Sequence, residues 1–129
     1  MNTLALEFAQ PEIFDQLVAL DAAELDRLEF GVIGIGADTV VCVYNAFESK
    51  MAGLSKERVI GHPFFTVVAP CMNNFMVAQR FEDAAAAGQA LDLTLDYVLT
   101  LRMRPVRVQL RLLAVPPAER RFVLVNRKP

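Results

Sequence analysis

Apolar residues recur at helical spacing between Pro11 and Leu28, where Ile13, Phe14, Leu17, Leu20, Leu25 and Leu28 predict an amphipathic helical segment. Asp21 followed by Glu24 has the form of a capping box, so two short helices are expected rather than one long one. Gly31 breaks the pattern. Phe30 to Ile35 and Thr39 to Asn45 then read as two strands, with Gly36, Ala37 and Asp38 as the hairpin turn. The run Val40 to Tyr44 is apolar on both faces, which predicts a central strand. Ala46 to Arg58 reads as short helical pieces broken at Gly53, with Ser55 as an N-cap. Gly61, His62 and Pro63 punctuate the chain, and the short apolar run Phe64 to Ala69 stops at Pro70.

A helix is expected from Asn73 or Asn74 to about Ala87, ended by Gly88, with Phe75, Ala78, Phe81 and Ala85 on its core face. The strongest periodicity follows. Leu91, Leu93, Leu95, Tyr97, Leu99, Leu101 and Met103 alternate with Asp92, Thr94, Asp96, Val98, Thr100 and Arg102, as in a half-buried strand. Past Pro105, Val106, Val108, Leu110 and Leu112 predict a second strand, antiparallel to the first. Pro116 to Arg120 makes a turn, and Phe122 to Val125 forms the last strand. Arg102, Arg104, Arg107 and Arg111 are expected on the solvent face of the sheet edge, or else to meet an acidic partner.

This order predicts an α+β fold: an antiparallel sheet of about five strands, one face packed against the helical middle. At 129 residues the chain suits one domain, 1–129, with a helical cap over about 1–28 and a core over 29–129. Mean hydropathy of +0.34 is high for a soluble monomer, so a homodimer is expected to cover some apolar surface. Net charge is −2 with no basic run, which argues against nucleic acid and anionic membrane surfaces as partners. The first ten residues lack the basic and small-residue features of a signal peptide, and no apolar stretch is long enough to span a bilayer. The cytoplasm is the expected compartment.

Cys42 and Cys71 form no CxxC pair and no metal spacing with His62, the single histidine, so both are expected as free thiols. Cys42 lies among valines and reads as core; His62, before Pro63, reads as a solvated loop residue. Met72, Asn73 and Asn74 read as helix capping. No group is placed to orient His62 as a catalytic base, and the glycines show no phosphate-cradling spacing. A sensor or binder is expected, not an enzyme.

Two motifs lie in register: YNAFE over Tyr44 to Glu48, and FFTVVAPC over Phe64 to Cys71, preceded by Val59-Ile60-Gly61-His62-Pro63. With the element order, they resemble the photoactive yellow proteins, a branch of the PAS domains. The resemblance runs from about Leu25 to the C-terminus. It implies a blue-light photoreceptor with p-coumaric acid joined as a thioester to Cys71. It also implies that Tyr44 and a protonated Glu48 hydrogen-bond the phenolate oxygen, in a pocket completed by Ala52, Leu54, Phe64, Ala69, Pro70, Leu101 and Met103. The chemistry suits these residue types. A thiolate accepts an activated acyl group. A phenol ionises at about pH 10 in water, so a buried phenolate needs donors aimed at its oxygen. Proton transfer to the isomerised chromophore would leave a bare carboxylate inside, loosening the N-terminal helices.

The sequence departs from that pattern. Ala52 stands where the family has a threonine supporting the tyrosine, and Leu54 where it has an arginine over the chromophore. Leu101 replaces a tyrosine, Met103 matches a methionine that assists recovery, and Phe47 occupies a position that is usually small. These changes make the expected pocket more apolar. The rival expectation is therefore a chromophore-free PAS module that dimerises, docks to an unknown signalling partner protein, or holds another small ligand.

Overall fold

The computed structural model describes residues 6–100, 105–116 and 119–127. Helices α1 (Ile13–Ala19) and α2 (Ala22–Leu25) lead into strands β1 (Gly31–Ile35) and β2 (Val41–Tyr44). Helices α3 (Ala46–Ala52) and α4 (Lys56–Val59) follow, then a π-helical turn (Phe64–Val68), a 3-10 turn (Pro70–Met72) and α5 (Ala78–Ala87). Strands β3 (Leu91–Leu99), β4 (Val106–Ala114) and β5 (Arg121–Asn126) close the fold. The sheet has five antiparallel strands, as expected, and their order is β2-β1-β5-β4-β3.

Each face of the sheet carries its own core, because side chains alternate across a strand. Ile33, Ile35, Leu110, Leu112, Val123 and Val125 face the helical middle, where Phe64, Phe65, Met72, Val77 and Phe81 pack on them. Val32, Leu113, Phe122 and Leu124 face the other way and are covered by Ile13, Phe14, Leu17, Leu25 and Leu28 of the N-terminal cap. The capping box of α2 is present: the Glu24 amide donates to Asp21 Oδ1 at 2.8 Å, and the Asp21 amide donates to Glu24 Oε1 at 3.0 Å. Among the described residues, no helix is long and apolar enough to cross a membrane.

Several expectations are corrected. Strand β2 is an edge strand, not a central one, and Cys42 is exposed instead of core. The cause is a bulge opposite Gly34 and Ile35, which pairs Ile35 with Val41 and Gly34 with Val43. Cys42 is the extra residue, so Val41 and Tyr44 both turn inward while its thiol turns out, 3.5 Å from the Gly34 carbonyl. Phe75 is 77% exposed and precedes α5, and Ala85 is exposed on the helix; Phe81 faces the core as expected, together with Val77 just before the helix. Arg111 is buried, not solvated. It forms a bidentate pair with Asp92 at 2.8 Å and donates to the carbonyls of Phe8 and Gln10, tying the N-terminal segment to β4. Arg107 and His62 are exposed as expected, and Arg102 and Arg104 lie outside the described residues.

Candidate functional site

The site is built around Asn45, the second residue of YNAFE. Its side chain is 1% exposed and makes four hydrogen bonds. Oδ1 accepts from the amides of Val32 and Glu48, at 3.0 and 3.1 Å. Nδ2 donates to the carbonyls of Leu25 and Phe30, at 2.9 and 3.0 Å. One amide thus caps α3, closes the end of β2 onto β1 and holds the cap of the N-terminal helices. It sets Tyr44 on one side and Glu48 on the other.

Glu48 lies in the first turn of α3 and is 2% exposed. Both its carboxylate oxygens accept from Arg127, just beyond β5, at 2.6 and 3.0 Å. The carboxylate lies flat on Gly31, where any Cβ would overlap Oε1. Burial raises the Glu48 carboxyl above the ordinary carboxylate range, and the Arg127 guanidinium offsets only part of that rise. Tyr44 is 3% exposed, and its hydroxyl is held far above the ordinary phenol range, first by burial and then by the Glu48 charge. It therefore stays protonated, a hydrogen-bond donor, at neutral pH.

Cys71 sits on the 3-10 turn, half-buried, beside an open cleft of about 850 Å³. Ala52, Leu54, Val59, Val67, Val68, Pro70 and Thr100 also line it, with the exposed Arg58. Among these lining residues Arg58 carries the charge. The turn is pinned to the sheet through its backbone. Tyr97 of β3 donates its hydroxyl to the Cys71 carbonyl at 2.5 Å, and Asn74 Nδ2 donates to the same carbonyl at 3.1 Å and to the Tyr97 oxygen at 2.7 Å. Asn74 Oδ1 accepts from the amides of Met76 and Val77 in the turn before α5, so it ties that turn to the cysteine; it does not cap the helix, which follows Val77 without a side-chain cap.

The structure thus brings Cys71 together with Ala52, Leu54 and Pro70. Tyr44, Phe64 and Ala69 belong to the core packed behind that cleft, which includes Val59 of the cleft wall. Glu48 faces Arg127. Leu101 and Met103 lie outside the described residues. Sequence reasoning missed Arg127, Arg58, Tyr97 and the structural part of Asn45. Only Asn45 left a local trace, as a capping residue before Ala46 and three before Glu48.

No family model matches the chain. It is 29% identical to the photoactive yellow protein of Rhodothalassium salexigens over 95% of this chain and 97% of that protein. The photoactive yellow protein domain of the sensor histidine kinase Ppr from Rhodospirillum centenum superposes with a TM-score of 0.79 at 38% identity, covering 87% of this chain and 97% of that one. The five-stranded fold is the PAS fold that this domain shares with other solved PAS domains. The photoactive yellow protein of Halochromatium salexigens is 32% identical over 83% of this chain and 85% of that protein, and the chain belongs to the photoactive yellow protein family.

Proposed function

We propose that this chain is a blue-light photoreceptor carrying p-coumaric acid as a thioester on Cys71. The observation that supports this most is the position of the thiol: half-buried, on a turn fixed by Tyr97 and Asn74, beside a cleft with mostly apolar walls. The cleft residues fit the attachment end of such a group. Ala52, Leu54, Val67 and Val68 offer apolar contact, and the volume far exceeds one aromatic acyl chain. In the attachment step the Cys71 thiolate displaces the activating group from the acyl carbon; a carbon–sulfur bond forms and the leaving group departs with the electron pair. When bound, the group supplies visible absorption and a double bond that light isomerises. Tyr44, held protonated by burial, is the donor for its phenolate oxygen. Glu48 joins it as a donor only with a proton on its carboxyl, since both oxygens here accept from Arg127. The reading includes a homodimer that covers exposed apolar residues such as Phe75 and Val67, and an unidentified signalling partner protein.

A second reading has one observation in its favour. Tyr44 and Glu48 do not line the Cys71 cleft, which suits a PAS module that binds another small ligand or a partner without photochemistry. Adding activated p-coumarate to the purified apoprotein separates the two. The first reading predicts a visible absorption band, absent in Cys71→Ser. A protein that stays colourless supports the second.

A further inference from the structure

The Glu48–Arg127 pair has no place in the attachment chemistry, yet it is the most buried ion pair among the described residues, with side chains 3% and 10% exposed. Arg127 makes two short, parallel bonds to the two carboxylate oxygens, the geometry in which guanidinium meets a carboxylate anion. A guanidinium does not give up its proton in a protein. A neutral Glu48 would therefore leave a buried cation without a counter-charge, which is worse than keeping the pair. The pair also spans the fold: Glu48 stands on α3, next to the Tyr44 end of β2, and Arg127 is the first residue past β5.

We propose that Arg127 is a positioning residue that holds Glu48 as an anion and thereby ties the end of β5 to α3. Protonation of Glu48, or a ligand oxygen that needs Glu48 as a donor, requires Arg127 to withdraw. The end of β5 is then released from the site helix. Among the described residues, the groups that act electrostatically within this cluster are Tyr44 of β2, Glu48 of α3 and Arg127. Gly31 of β1, against which the carboxylate packs, carries no charge. The proposal concerns the apoprotein and does not rest on the chromophore reading, so either can fail without the other.

The test is infrared spectroscopy of the apoprotein at neutral pH, following the carbonyl stretch of protonated carboxylic acids. The unmodified protein is expected to show no such band that Glu48→Gln removes. Arg127→Gln is expected to gain one, which the double variant Glu48→Gln/Arg127→Gln loses. A band already present in the unmodified protein and lost in Glu48→Gln overturns the proposal. Amide exchange supplies a second measurement that needs no Arg127 variant. In Glu48→Gln the amides of Val125, Asn126 and Arg127 are expected to exchange faster, while those of β3, which does not pair with β5, keep their rates. Unchanged exchange at the end of β5 overturns the tether.

Discussion

At the scale of single residues, Asn45 and Glu48 are polar and buried, and both are satisfied largely by partners distant in the chain. Asn45 shows the energetic consequence. Asn45→Ala leaves the Val32 and Glu48 amides and the Leu25 and Phe30 carbonyls without their partner, and is expected to cost about 3 kcal/mol in urea unfolding. A variant within a few tenths of a kcal/mol of the unmodified protein would refute that role. Gly31→Ala places a methyl on the Glu48 carboxylate and is expected to cost about 2 kcal/mol through overpacking. The motif YNAFE was legible as chemistry because Tyr44 and Glu48 are titratable residues in a recognisable register. Arg127 was not: it lies 79 residues from Glu48 among residues with no motif, and only strand pairing brings β5 alongside.

At the scale of elements, pattern reading succeeded where one face of a strand is wet and failed where a local irregularity changes the phase. The alternation of β3 and β4 carried straight through to the structure, with Leu91 to Leu99 paired to Val106 to Ala114 residue by residue. The bulge in β2 left no composition signal, so Cys42 was assigned to the wrong side. Likewise, Arg111 reads as a surface residue by type and becomes buried because Phe8 to Gln10 fold over it. The contact between α3 and β5 makes a pH prediction. In Arg127→Gln, Glu48 keeps its burial and loses the cation, so its folded carboxyl is raised further above the unfolded value. A group raised on folding favours the folded state while protonated and loses that contribution as pH rises through the folded pKa. The variant should therefore be less stable than the unmodified protein at neutral pH, with the deficit shrinking as pH falls. Chemical unfolding between mildly acidic and neutral pH measures this, and a deficit that grows on acidification contradicts it.

At the scale of the whole molecule, the sheet is a shared wall between a helical middle that holds the candidate site and an N-terminal cap that does not touch the Cys71 cleft. Removing residues 1–28 bares Val32, Leu113, Phe122 and Leu124 and is expected to produce dye binding and concentration-dependent association, measured by fluorescence and light scattering. A truncated protein that stays monomeric and dye-free would show that the cap does not shield that face. The two thiols give the light-sensing account its sharpest internal control. Cys42 is the more exposed, so indiscriminate acylation strikes it first, whereas a built site selects Cys71. Peptide mapping by mass spectrometry after treatment with activated p-coumarate decides between them. The account predicts the coumaroyl mass on the peptide bearing Cys71 and none on the peptide bearing Cys42; a label on Cys42, or on neither, contradicts it.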